Sequence, residues 1–579
     1  MWFQSRFSET EKNPKKSSEV PKNVDFHWGV KIPLRDGIRL NATLYKPKTG
    51  DPTPAIFTLT PYIGDSYHPR AVYFAQHGYA FALVDCRGRG NSEGMFEPFV
   101  NEGKDGHDVV EWLAKQPWCD GQVTMWGGSY AGQDQWATLK EFPPHLKTIV
   151  PAAAAHAGVD FPHFKNIFTS YEMQWMTIIS GVTGNSTLFG DIAFWIEKFQ
   201  EMYQNHKPYR QLDEIVGNVA TVFRTWVAHP TPDAFWDQMA LTEAQYDQIS
   251  LPILTITGHY DGDQPGAMEY YRRHMRSDSS AKADHYLIIG PWDHPGTRTP
   301  QAEFGGLKFG EASLVDLNQL HKEWYDWTMK GGKKPAFLKQ RVACYVAGEE
   351  KWKYASDVEA LVKRVEKRYL NSAGSAGDVF HSGTLDEKPP KTSPPDRFTY
   401  DPLDKRPGEL ERVEIKEYFT DQTPDLNLFG NGLVYHTAAF PRDTEITGWV
   451  RLVAWMSLDV PDTDFSVTLS EVLPNGKVIK LTQDLLRARY RESLRQEKLV
   501  VPGEINPYTF DGFTFFSRRI SKGSRLRLIL NCPNTINLEK NYNGGGVVAD
   551  ESAADARTAH ITLYHDADHP SCLEIPIGR

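Results

Sequence analysis

The part of this chain best suited to covalent chemistry is a serine set among small residues. The apolar run Val123-Thr124-Met125-Trp126 meets Gly127-Gly128-Ser129-Tyr130-Ala131 and passes into a helical stretch. Small residues flanking the serine let a strand and a helix approach closely, so the chain turns sharply, strains the Ser129 backbone and leaves its hydroxyl exposed as a nucleophile. Ala131 stands where glycine is the usual residue. Taken alone the pentapeptide also suits an ordinary glycine-flanked loop, so its context has to decide.

Two later runs supply that context. Leu251-Pro252-Ile253-Leu254-Thr255-Ile256-Thr257-Gly258-His259-Tyr260-Asp261 is an apolar strand ending in a turn that carries a carboxylate, and His285-Tyr286-Leu287-Ile288-Ile289-Gly290-Pro291-Trp292-Asp293-His294 is another, ending in a loop that presents an imidazole. His294 would take the proton from Ser129 and return it to the leaving group, while Asp261 would hold the imidazole tautomer and stabilise its cation. Asp-Gly is also a common turn pair, yet three strand-end residues in the order Ser, Asp, His follow the arrangement of α/β-hydrolases. The backbone N–H of Tyr130, directly after the nucleophile, is one expected donor to the oxyanion.

The surrounding pattern supplies the elements such a site needs. Asp36-Gly37 between two alternating runs predicts a hairpin, and Ala55–Leu59 and Tyr79–Val84 read as buried strands of a mostly parallel sheet. An amphipathic helix from Asp105, with Val109, Val110 and Leu113 on its core face, stops before Pro117 and leads into the strand of the serine turn. The glycines of Gly88-Arg89-Gly90 and Gly94 are out of register for a dinucleotide fingerprint. From about residue 158 to 247 the strands give way to aromatic-rich helical stretches, read as a cap over the site. Past Lys330-Gly331-Gly332-Lys333-Lys334-Pro335 short runs rich in β-branched and aromatic residues take over, starting with Gln340–Val346 and including Asn475-Gly476 as a hairpin turn, which fits an all-β jelly roll. The expected organisation is an arm at residues 1–24, hydrolase segments at 25–157 and 248–335 around a cap at 158–247, and a jelly-roll domain at 336–579.

Composition narrows the function. The 579 residues carry a net charge of −10, which aids solubility and argues against a nucleic-acid partner. Five scattered cysteines, none in CxxC spacing, point to reduced thiols, a cytoplasmic location and no structural zinc. Neither a secretory leader nor an apolar run long enough to span a membrane is evident. Sixteen tryptophans and a jelly roll would suit a glycan-binding protein, but core packing is the commoner use of tryptophan.

With these markers in view, the chain resembles the α/β-hydrolases grouped with cocaine esterase, X-Pro dipeptidyl-peptidase and the α-amino-acid ester hydrolases, which carry a C-terminal jelly-roll domain. The resemblance runs from about Val30 to the C-terminus through Pro61-Tyr62, the segment Asp85-Cys86-Arg87-Gly88-Arg89-Gly90-Asn91-Ser92-Glu93-Gly94, Gln116-Pro117-Trp118, Gly128-Ser129-Tyr130, Tyr260-Asp261 and Gly290-Pro291-Trp292-Asp293-His294. Pro461–Phe465 and Lys522–Arg527 resemble segments of its C-terminal domain. It implies Ser129 as nucleophile, Asp261 as acid, His294 as base and the Tyr62 hydroxyl as the second oxyanion donor. His259 departs from the tryptophan usual before Tyr-Asp and bears on the pocket's shape.

The resulting expectation is a serine hydrolase cleaving carboxylic ester or amide bonds through an acyl-enzyme, with no metal or organic cofactor, acting on a small ester, amide or short peptide. An X-Pro dipeptidyl-peptidase is the first alternative; it needs a carboxylate for the substrate's α-amine, for which Asp134 and Asp263 are candidates. An α-amino-acid ester or β-lactam acylase is the second. The sequence leaves the oligomeric state open.

Overall fold

The computed structural model describes residues 20–48, 50–278 and 284–579. Most of the expected arm lies outside the described residues, and Val24 already opens the first strand.

Val24–Pro33 and Arg39–Pro47 form the hairpin expected at Asp36-Gly37, with Gly37 at φ +90° and Asp36 accepting from the Ile38 N–H at 3.1 Å. The second strand pairs antiparallel with Ala80–Asp85, after which the sheet turns parallel through Thr53–Thr60 and Cys119–Met125 to Leu146–Thr148. A parallel bridge from Ile149 to Ile253 carries it on to Ile253–Tyr260 and His285–Asp293. These last two strands are buried along their whole length, as a parallel sheet covered on both faces requires. Alternate side chains divide between the covers. Ala55, Phe57, Ala82 and Val84 pack toward helices Glu102–Ala114 and Tyr130–Lys140, and Ile56, Phe81 and Leu83 toward His68–Gln76 and Leu317–Lys330.

One boundary is corrected. Val342–Val346, expected to open the all-β domain as a half-buried alternating strand, is buried at every position and pairs in parallel with His285–Asp293, while Lys351–Ala355 closes that sheet antiparallel. The hydrolase sheet therefore runs past residue 336 to Ala355. A short buried run ends a parallel sheet as readily as it begins a sandwich, and periodicity cannot separate the two.

The segment between the two sheet halves is largely helical, with Tyr171–Ile179, Ile192–Gln204 and Thr221–Val227 around a core of Trp175, Trp195, Phe199, Trp226 and Trp236. Beyond Val362 the chain is mainly β, with a short α-helix at Arg406–Glu409. Its strands join in one antiparallel array apart from the parallel pair Gly383–Asp386 and Gly432–Thr437, and the array curls so that Phe398 near one end and Leu486 near the other share a single core. Asn475-Gly476 forms the expected hairpin turn between Asp464–Val472 and Val478–Arg487. A buried ionic network ties this domain to the cap: Arg487 donates to Asp464 and Glu539 at 2.8 Å and to the Asn166 carbonyl at 3.0 Å, and Glu539 accepts from the Phe168 N–H at 3.1 Å. Each charge has a partner, as such a site needs. Of the sixteen tryptophans only Trp449 and Trp455 belong to this domain, so it offers no tryptophan-rich platform.

Candidate active site

Ser129 joins Cys119–Met125 to helix Tyr130–Lys140 at φ 62°, ψ −128°, a region that residues with a Cβ rarely occupy. Sterics explain its neighbours. A Cβ on Gly127 would lie 2.6 Å from the Ala131 Cβ, and one on Gly128 would lie 2.4 Å from the Arg298 Cδ, in the loop after His294. The Ser129 N–H donates to the Ala152 carbonyl at 3.0 Å. Gln135, one turn into the helix, donates to the Gly127 and Val150 carbonyls at 3.0 and 2.9 Å and accepts from the Val150 N–H at 2.8 Å. Sequence reasoning missed this buried amide, because glutamine on a helix ordinarily reads as a solvent-facing residue.

Asp261 and His294 follow directly on the ends of neighbouring parallel strands. The pairing runs in register to Gly258 opposite Gly290 and then slips, so that Tyr260 faces Asp293. This bulge places an extra residue on the base strand, a device that re-aims the side chains beyond it. It needs its glycines, since a Cβ on Gly258 would lie 2.1 Å from the Trp292 carbonyl oxygen and one on Gly290 would lie 2.2 Å from the Trp292 ring. Past the bulge, His294 Nδ1 donates to Asp261 Oδ1 at 2.8 Å. Asp261 is fully buried and also accepts from the Asp263 N–H at 3.0 Å and the Thr257 hydroxyl at 2.9 Å. Three donors fix its orientation. Asp263 Oδ2 lies 3.7 Å from the same imidazole nitrogen, beyond hydrogen-bond reach.

Tyr62 packs edge-on against Tyr130, the residue after Ser129, with ring centroids 6.3 Å apart. Its hydroxyl accepts from Trp175 Nε1 at 2.9 Å. Burial pushes that hydroxyl well above the usual tyrosine range, against the opposing pull of hydrogen bonds with Trp175 and Ser129, so it keeps its proton at neutral pH. An indole N–H only donates, which leaves the tyrosine's own proton free for Ser129 or an oxygen bound beside it. Trp175, on cap helix Tyr171–Ile179, also stacks on Tyr130 with ring centroids 5.8 Å apart. One cap side chain thus touches both residues expected to supply oxyanion donors. In a cap rich in aromatics throughout, the sequence gives no local signal that distinguishes this one.

The Tyr130 side chain is fixed by hydrogen bonds of its own. Its hydroxyl donates to Glu102 Oε1 at 2.5 Å and accepts from the Phe99 N–H at 2.7 Å. Glu102 is buried and its carboxyl is pushed up to about 7 by that burial. Asp134, also buried on the elbow helix, is held well above the carboxylate range by burial and by the charges of Glu102 and Asp105. Of the two carboxylates considered as amine anchors, Asp134 is therefore sealed within the hydrolase core and Asp263 lies behind His294. His259 does not line a pocket by way of an exposed face either. It is buried, and its Nδ1 accepts from the Ser517 N–H of the all-β domain at 3.0 Å, with burial lowering its pKa to about 3.

The structure thus joins Asp261 to His294 by a hydrogen bond, and Gly128, next to Ser129, packs so close to Arg298 in the loop after His294 that a Cβ there would clash with it. Comparison with known proteins bears on the chain as a whole. Residues 36–296 match the X-Pro dipeptidyl-peptidase (S15 family) and residues 326–574 match the X-Pro dipeptidyl-peptidase C-terminal non-catalytic domain. The chain is 28% identical over 593 residues to cocaine esterase of Rhodococcus sp. (strain MB1 Bresler), spanning 96% of this chain and 99% of that protein. Among solved structures, an aminopeptidase from the marine sediment archaeon Thaumarchaeota archaeon shares the fold with a TM-score of 0.82 at 21% identity, covering 99% of this chain and 100% of that one. An α-amino-acid ester hydrolase does so with a TM-score of 0.82 at 19% identity, covering 98% and 99%. The two matched regions account for most of the sequence, and the chain is a serine hydrolase homologous to X-Pro dipeptidyl-peptidase and cocaine esterase.

Proposed function

We propose that the protein cleaves carboxylic esters, and activated amides, through an acyl-enzyme on Ser129, with His294 as general base and acid and Asp261 as the carboxylate that orients it. The observation that carries this assignment is the 2.8 Å bond from His294 Nδ1 to the triply held Asp261. That bond fixes the tautomer and leaves Nε2 to take the serine proton. Ser129 Oγ attacks the acyl carbon as its proton passes to His294. The negative oxygen is met by the Tyr62 hydroxyl and the Tyr130 N–H. Collapse expels the alcohol or amine with the proton from His294, and water repeats the sequence to free the acid.

An ester is favoured over an X-Pro peptide because the relative matching along nearly the whole chain is named as an esterase, and because the burial of Asp134 removes it as an anchor for a free α-amine. A reducing, cytoplasmic setting is supported by five buried cysteines, all unpaired. Among the described residues no helix is long and apolar enough to cross a membrane. The test is a side-by-side panel of p-nitrophenyl acyl esters, Gly-Pro-anilide, amino-acid esters and β-lactams. Turnover of simple acyl esters well above the other classes is expected; kcat/KM highest for Gly-Pro-anilide would move the assignment to dipeptidyl-peptidase.

A further inference from the structure

The turn that carries Asp261 is gripped from outside its own domain. Gln264, the first residue of helix Gln264–Arg276, is 1% exposed, and its side-chain amide pairs with the backbone of Phe515 in the all-β domain. Oε1 accepts from the Phe515 N–H at 2.7 Å, and Nε2 donates to the Phe515 carbonyl at 2.9 Å and the Gly258 carbonyl at 2.8 Å. The backbone N–H of the same residue donates to the Asp261 carbonyl at 3.2 Å. The amide therefore closes the turn from Gly258 to Gln264 and fastens it to a strand 251 residues away.

Two further contacts repeat the attachment on the other side of Asp261. His259 accepts from the Ser517 N–H, and the Tyr260 ring packs against Phe419 of the all-β domain with centroids 4.7 Å apart. The gripping strand, Phe516–Ile520, is itself seated on the hydrolase sheet: the Ala347 N–H donates to the Ser517 carbonyl at 3.1 Å, and the Arg519 N–H donates to the Ala347 carbonyl at 2.8 Å. Sheet, strand and acid turn form a closed circuit.

We infer that Phe515 and the strand after it are a positioning element for Asp261, acting through Gln264 and His259, so that the domain matched as non-catalytic sets the geometry of the catalytic acid. The inference rests on Asp261 being that acid. A displacement of about 1 Å in a reacting constellation can cost on the order of 10²-fold in rate, and Gln264 touches Asp261 directly through the backbone. Interdomain adhesion alone makes a different forecast, a lower melting temperature with normal turnover per folded chain.

The test compares Gln264→Met, His259→Leu, His259→Asn, Asp261→Asn and the double variant Gln264→Met/Asp261→Asn in the full-length protein, with the folded fraction measured by near-ultraviolet circular dichroism. Gln264→Met and His259→Leu are expected to lower kcat per folded chain by roughly 10- to 100-fold with KM within about 2-fold. His259→Asn, which can keep an acceptor near Ser517, should recover most of the loss. In the Asp261→Asn background Gln264→Met should add less than about 3-fold, because a residue acting through Asp261 has little left to act on. Full kcat in both Gln264→Met and His259→Leu, or losses that multiply in the double variant, would overturn the inference while leaving the acid in place. A mild Asp261→Asn would overturn the assignment of the acid and this inference together.

Discussion

The two halves of the site are built in opposite ways. On the nucleophile side geometry comes from neighbours in sequence: Gly127 and Ala131 are small because the turn leaves their side-chain positions 2.6 Å apart, and Gln135 pins the helix to strand ends within the same domain. On the acid side the glycines of the bulge are local, but the turn is held by Phe515, Ser517 and Phe419, residues of the all-β domain that lie far along the chain from Asp261. The nucleophile must keep a strained backbone, which only short-range sterics can enforce. A carboxylate that orients an imidazole needs only to be held in place, and hydrogen bonds from another domain can do that.

The largest effects should fall on the reacting groups of both halves alike. Ser129→Ala and Asp261→Asn should each lower kcat by ~10³-fold or more without unfolding the chain, the first by removing the nucleophile and the second by releasing the imidazole tautomer. If Asp263→Asn were the crippling change and Asp261→Asn mild, the two carboxylates would exchange roles. Next comes Tyr62→Phe, which keeps the ring and removes one donor. It should cost roughly 10²- to 10³-fold in kcat with KM and thermal stability little changed, whereas a packing role predicts a lower melting temperature and near-normal kcat.

Smaller changes separate local from borrowed geometry. Gly127→Ala forces a Cβ against Ala131 and should destabilise by ~1–3 kcal/mol, read as a lower urea midpoint; an unchanged midpoint would show that the elbow is not sterically set. Trp175→Phe keeps an aromatic ring beside Tyr130 but loses the N–H to Tyr62. About a 10-fold loss in kcat is expected, the worth of one hydrogen bond, and it should vanish in a Tyr62→Phe background.

A last effect, which builds up over several pH units, is a pH dependence of stability. His259 is held neutral with its pKa lowered to about 3, while in the unfolded chain it titrates near the ordinary value of about 6.5. Between those values the unfolded chain takes up a proton that the folded chain refuses. Stability is therefore fully present above about 6.5 and falls as pH drops toward about 3, by at most ~1.4 kcal/mol per unit from this residue. Urea titrations of His259→Asn should show a flatter fall over that window, and an unaltered slope would remove His259 from the acid response.

Much of this was legible in the sequence, and unevenly. Ser129, Asp261 and His294 stand at strand ends where the change from apolar run to Gly-rich turn is itself a local signal. Tyr62 became a candidate only through family resemblance, because a tyrosine in a loop carries no signal of its own. Trp175, Gln135 and Gln264 escaped because their roles are tertiary: each looks like an ordinary helical residue until the fold brings its partner to it. The same reason moved the boundary at Val342–Val346, a strand whose sheet is decided by what lies beside it. Composition argues against nucleic acid but does not choose an acyl group.

The most direct test of the account is to trap the acyl-enzyme. Rapid mixing with a p-nitrophenyl ester, acid quench and peptide mass spectrometry should show a burst near one p-nitrophenol per chain and an acyl group on Ser129 alone, with both absent in Ser129→Ala. An adduct on another residue, or steady turnover by Ser129→Ala at the wild-type rate, would contradict it.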